Sequence, residues 1–193
     1  MDEQQTIRLF LDDRTEEAFC ALFVAVYPRV RRYFLTRNVD EMTAEELAQT
    51  VLFKVYQKAS ELKDQVLFHG WLFAIARNEL LQHWRKQQSR IETVELEPLA
   101  EHLTIQPAGL LQAEFDEWLS FLEPNERELV LLRFVEGLTY QELTAALGIP
   151  LGTVESRLFS VRKKLLRIVE AKAGKQKLTG ANSNISNSWD EIL

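Results

Sequence analysis

Two short runs of helical periodicity meet at an abrupt break between Gly137 and Leu158, and no other feature limits the possible folds as tightly. Thr139 opens the first run with Glu142 three residues on, the spacing of a capping box. Gly148 closes it, because glycine readily takes the left-handed backbone that ends a helix. Leu143, Leu147, Ile149, Val154 and Leu158 fall where two such helices must pack, which leaves Thr153, Glu155, Ser156 and Arg157 at the exposed start of the second. This is the grammar of a helix-turn-helix.

The rest of the chain is helical by the same signs. Only 7 glycines and 5 prolines occur in 193 residues, and they fall between periodic stretches rather than within them. Phe19, Leu22, Phe23, Val26, Val30 and Phe34 recur every three or four residues and predict a helix over 15–35, with Pro28 as a kink or boundary. A second helix is expected from Asp40 or Thr43 to about Ser60, and a third from Trp71 to about Gln87 after a connection closed by Gly70. Regularity fails over 91–112, which reads as an acidic linker. Helices are then expected near 113–122, 125–136, 139–147 and 151–172. The fold class is all-α, with two small helical domains, 1–90 and 113–173, joined by that linker and followed by a disordered tail over 174–193.

Several function classes drop out. No run approaches the roughly 18 apolar residues of a membrane span, and the acidic start lacks a signal peptide's basic region, so a cytoplasmic location without stable membrane insertion is expected. Cys20 is the single cysteine and reads as a small core residue. His69, His83 and His102 lack metal-ligand spacing and a partnered nucleophile, and no glycine-rich phosphate loop exists, so no metal, no cofactor and no enzymatic activity are expected.

The formal net charge of −6 conceals strong local asymmetry. Residues 68–90 carry 4 basic and 1 acidic side chains and residues 153–177 carry 8 and 2, while residues 91–128 between them carry 1 and 10. The second island continues the helix-turn-helix through Arg157, Arg162, Lys163, Lys164 and Arg167, where base edges and phosphates would be met. The first island interleaves Phe68, Trp71, Phe73 and Trp84 with Arg77, Arg85 and Lys86, a composition that suits stacking of unpaired bases as well as core packing.

Thr43-Ala44-Glu45-Glu46-Leu47-Ala48-Gln49-Thr50-Val51 and Gly70-Trp71-Leu72 through Ala76-Arg77-Asn78 with Arg85-Lys86 resemble conserved region two of bacterial sigma factors of the extracytoplasmic-function (ECF) group of the sigma-70 family. Leu122 to Glu128, Gly137 to Leu143 and Gly152 to Leu158 resemble their region four. The resemblance covers most of residues 15–170 and departs from the family at Thr43 and Thr50, where acidic residues are common, and at Ser160, where arginine is common.

The resemblance implies a subunit that binds core RNA polymerase through Glu45, Glu46, Leu47 and Gln49. It implies reading and melting of the minus-ten promoter element by Trp71, Arg77, Asn78, Gln82, Arg85 and Lys86, with a flipped base held by the loop between Ala59 and His69. Thr153, Glu155, Ser156, Arg157, Ser160, Arg162, Lys163 and Lys164 would meet the minus-thirty-five element, and Leu129, Leu132, Phe134 and Val135 would partly pack the domain and partly meet polymerase. Promoter DNA, core polymerase and an anti-sigma factor are the implied partners. Two rivals stay open at this point: a helix-turn-helix regulator that binds duplex DNA without polymerase, and an interaction protein whose acidic helix and linker hold a basic partner.

Overall fold

The computed structural model describes residues 2–62, 64–91 and 117–179. The acidic linker and most of the expected tail lie outside the described residues. Among those described there is no strand, and no helix is long and apolar enough to cross a membrane.

Four helices build the first half: α1 (Glu3–Asp13), α2 (Glu16–Leu35), α3 (Glu41–Lys58) and α4 (Phe68–Ile91). Side chains satisfy the N–H groups that open the first three. Asp2 and Gln5 form a capping box on α1, Thr15 accepts from the Ala18 N–H at 3.2 Å, and Asp40 Oδ1 accepts from the Thr43 N–H at 3.0 Å. Asp40 is therefore the cap of α3, and Thr43 lies inside the first turn. α2 runs unbroken through Pro28. Two short 3-10 turns, Ala59–Glu61 and Gln65–Leu67, lead from α3 into α4.

The second half holds α5 (Pro124–Val130), a π-helical turn over Leu131–Val135, α6 (Tyr140–Leu147) and α7 (Leu151–Thr179). Thr139 and Glu142 form the expected capping box, and Gly148 ends α6 at φ 66°. α7 continues through Gly174 to Thr179, past the expected helix end.

Three expectations need correction. α1 had no counterpart in the sequence reading, although its Ile7 and Phe10 are buried at helical spacing. Cys20 is exposed: Ala18, Leu22 and Val26 turn inward every four residues, which puts position 20 on the outer side of α2. Gly70 closes no loop, because α4 starts at Phe68 and Gly70 lies within it.

The reason for Gly70 is tertiary. A Cβ there would stand 2.5 Å from the Glu142 carbonyl oxygen and 2.7 Å from its Cα, so α4 and α6 meet backbone to backbone. Around that crossing, Phe10, Leu22, Phe34, Leu52, Phe68, Leu72 and Phe73 of the first half share one core with Leu129, Leu132, Leu138, Leu143 and Val154 of the second. Each such side chain, fully buried, stabilises the fold by about 1.5–3 kcal/mol. A smaller cluster, Trp118, Leu119, Leu122, Val130, Leu131, Val161 and Leu165, holds α7 against α5.

Polar groups lace the same seam. Glu136, 4% exposed, accepts from Arg29 through its carbonyl at 2.7 Å and from Arg32 through its carboxylate at 3.0 Å. Glu128 accepts from the Tyr33 hydroxyl at 2.9 Å and from Arg37 Nε at 2.8 Å, and the Arg37 guanidinium lies 3.6 Å from the centroid of the Tyr33 ring. Burial and the Glu128 carboxylate push the Tyr33 hydroxyl well above its ordinary pKa. The His69 ring bridges the halves, with Nε2 2.7 Å from Glu3 and Nδ1 3.3 Å from Glu142. Burial alone would raise both carboxyls, but the His69 bonds, joined by Arg29 at Glu3 and by Thr139 at Glu142, outweigh it and hold both below the ordinary carboxylate range.

Candidate nucleic-acid interface

α7 presents two opposite faces. Val154, Val161 and Leu165 turn inward with the half-buried Leu158, so the outward line at helical spacing is Gly152, Ser156, Phe159 and Lys163. Glu155, Arg157, Ser160 and Arg162 flank that line and are exposed, and Thr153 is half-buried beside them. The structure thus leaves seven of the eight residues expected to meet the upstream element accessible, on the outward line and its two flanks. The eighth, Lys164, turns away to Glu126 at 2.8 Å and ties α7 to α5. Lys164 and the Glu123 N–H together overcome the burial of Glu126 and lower its carboxyl pKa.

The serine hydroxyls on this face are engaged within the helix. Ser156 donates to the Thr153 carbonyl at 3.1 Å and Ser160 to the Ser156 carbonyl at 2.9 Å. Phe159, at 68% exposure, is the large group that sequence reasoning missed. Its position seven residues beyond Gly152, between Ser156 and Lys163, was the available signal.

α4 carries a second stripe. Asn78, Gln82, Arg85 and Lys86 are exposed at intervals of three or four and share one side of the helix. Trp71 sits about two turns earlier, half-buried, with its ring centroid 6.2 Å from that of Phe68. Arg77 is set apart: it lines a cavity of about 170 Å³ between α4 and α5, together with Arg37, Trp84, Asn125, Arg127 and Glu128. Phe73 is fully buried and Trp84 half-buried, so the aromatics of this island serve mainly the core.

α3 supplies the third surface. Glu46 and Gln49 are exposed, Glu45 is half-buried and bound by Arg31 Nε at 3.2 Å, and Leu47 packs on the core. Met42 at 70% and Phe53 at 60% exposure extend the line of Glu46 and Gln49 at both ends. Sequence reasoning passed over both, since isolated apolar side chains on a helix read as core. Leu129 and Leu132, expected to be divided between packing and polymerase, are buried in the shared core, and Phe134 and Val135 pack half-buried on the smaller cluster.

Comparison with known proteins decides what this assembly is. The family model described as Sigma-70 region 2 matches residues 22–90, and that of Sigma-70, region 4 matches residues 112–165. The chain belongs to the sigma-70 family. An ECF RNA polymerase sigma factor, RpoE of Cereibacter sphaeroides, is 32% identical over 156 residues, which span 79% of this chain and 86% of that one. An RNA polymerase sigma-E factor of Streptomyces coelicolor is 31% identical over 148 residues, 72% of this chain and 81% of the relative.

Two solved structures share the architecture. RpoE of Bartonella quintana, solved with the anti-sigma factor NepR, superposes with a TM-score of 0.56 at 26% identity over 77% of this chain and 94% of its own. CnrH, solved with the cytosolic domain of CnrY, gives 0.61 over 88% of this chain and 97% of its own, and at 19% identity it shows the fold alone. With 32% identity to an ECF sigma factor over 79% of its length, this sigma factor falls in the ECF group.

Proposed function

We propose that this sigma factor binds core RNA polymerase through the outer line of α3 and directs initiation at a specialised set of promoters, reading the minus-ten element with α4 and the minus-thirty-five element with α7. The observation that carries this reading is the pairing of two basic, exposed helix faces on separate family regions of one chain. Polymerase supplies the catalysis, and the chain acts in the cytoplasm, where polymerase and promoter DNA meet.

The roles follow from the chemistry of each face. On α7, Glu155 and Arg157 offer an acceptor and a donor fork to base edges, and Arg162, Lys163 and Arg167 meet phosphates. On α4, Asn78 and Gln82 present amides to unpaired bases while Arg85 and Lys86 hold the backbone. On α3, the exposed Glu46 suits a basic partner groove, and Met42 and Phe53 add apolar area to be buried on docking. Region two would be residues 1–90 and region four 113–173. RpoE of Bartonella quintana was solved with an anti-sigma factor, and an anti-sigma factor that covers both regions would inhibit this chain.

Run-off transcription by bacterial core polymerase over a randomised promoter library tests the proposal. Selective initiation that requires the protein, lost in the double variant Glu46→Lys/Phe53→Glu but with promoter-free DNA binding unchanged, is the expected result. Unchanged transcription together with binding of duplex DNA by the protein alone would replace it with a stand-alone regulator.

A further inference from the structure

We propose that Phe159 is a specificity-determining residue of α7 and reads the methyl group of a thymine in the major groove of the upstream promoter element. The inference rests on the proposed entry of α7 into that groove and names what the helix recognises there.

Phe159 stands at the middle of the outward line of α7, opposite Val154, Val161 and Leu165, and is 68% exposed. Among the described residues no ring packs against it. Leu166, 40% exposed seven residues further along the same line, is the other large apolar group on this side, and a phenyl group held in water at 68% exposure contributes nothing to this fold. Its neighbours three and four residues on, Arg162 and Lys163, share its surface and favour a polyanion over a second protein.

The major groove offers only one apolar group to such a side chain, the C5-methyl of thymine. The other candidates for direct readout are reduced, since the Ser156 and Ser160 hydroxyls already donate to carbonyls of their own helix. Gly152, one turn before Ser156 on the same line, points to close approach as well. A Cβ added there meets nothing within 4 Å. The packing of the fold therefore does not require glycine, whose presence in a helix is unfavourable relative to alanine. The missing side chain leaves room for base edges to come near.

The test uses the full chain with core polymerase on promoters selected from the library, each thymine of the upstream element replaced in turn by deoxyuridine, which lacks only the methyl. Wild-type protein should lose about fourfold in affinity at one or two positions, the loss of one buried methyl. Phe159→Ala, a surface change, should keep its melting temperature, bind the unmodified promoter about as weakly as wild type binds the substituted one, and be indifferent to the exchange. Wild-type indifference at every thymine, or an equal deoxyuridine penalty in Phe159→Ala, overturns the assignment while promoter-specific initiation still stands. If the chain directs no initiation and protects no upstream element, the assignment and the proposed function fall together.

Discussion

Replacing Glu128 by glutamine removes the anion that compensates Arg37, and the geometry fixes what should follow. Arg37 is 1% exposed and borders the cavity of about 170 Å³ between α4 and α5. Its Nη1 would keep the Tyr33 carbonyl at 2.8 Å and the Thr36 hydroxyl at 2.9 Å, but Nε would lose the carboxylate at 2.8 Å. Stripping one partner from a buried ion pair costs about 3–5 kcal/mol. The retained bonds, the Tyr33 ring under the guanidinium and the 18% exposure of the Glu128 side chain put Glu128→Gln at the lower end, about 3 kcal/mol.

For a chain of this size that is a fall of about 6–12 °C in the melting temperature. It is equally a shift of about 150-fold toward separation of the two halves, wherever separation lets Arg37 hydrate. Calorimetry reads the first quantity. Amide exchange of α6, whose packing depends on the same seam, reads the second. The double variant Arg37→Met/Glu128→Gln should recover most of the loss, because it buries no charge and leaves the Tyr33 hydroxyl an acceptor. A melting temperature within a degree of wild type in Glu128→Gln, with unchanged exchange in α6, would refute the view that this pair holds the halves together.

Thr139→Ala removes the cap of α6 and should cost about 1 kcal/mol, seen as a melting temperature lower by about 2–4 °C. The carboxyls of Glu3, Glu126 and Glu142 titrate below their ordinary value of 4.5 in the folded chain, so their contribution is complete above that value and drains away as pH falls through the lower folded values. Acid titration of stability should therefore show the loss below pH 4.5, and Glu142→Gln should reduce its size. Arg157→Ala should lower the slope of log affinity against log salt by about 0.9 if it meets a phosphate, or weaken binding at one base position if it reads a base. Lys164→Ala should change neither, and cost only about 0.2–1 kcal/mol of stability, because its partner is Glu126.

The local signals in the sequence translated directly into structure. Thr139, Glu142 and Gly148 marked the ends of α6, and Val154 and Leu158 marked the inner face of α7 and hence its exposed one. Misreadings arose where a residue's reason lies elsewhere in the chain. Gly70 looked like a loop glycine because the backbone it accommodates belongs to Glu142, distant in sequence. Arg29 and Arg32 sit in an unremarkable stretch of α2 and Arg37 just beyond its end, and their partners Glu136 and Glu128 lie about a hundred residues on. Exposed apolar residues hid for a different reason. Met42, Phe53 and Phe159 share the helical spacing of true core positions, and only burial separates the two.

The contact at Gly70 has a bearing on how this molecule changes shape. Two helix backbones in touch without an intervening side chain have no compressible layer between them, and dispersion attraction at such a surface fades within a fraction of an ångström. The region-two and region-four halves therefore have no graded series of looser embraces available, only an engaged state and a disengaged one. Labels placed on α3 and α7 should report two resolved distance populations in single-molecule energy transfer, and a binding partner would change their proportions rather than their positions.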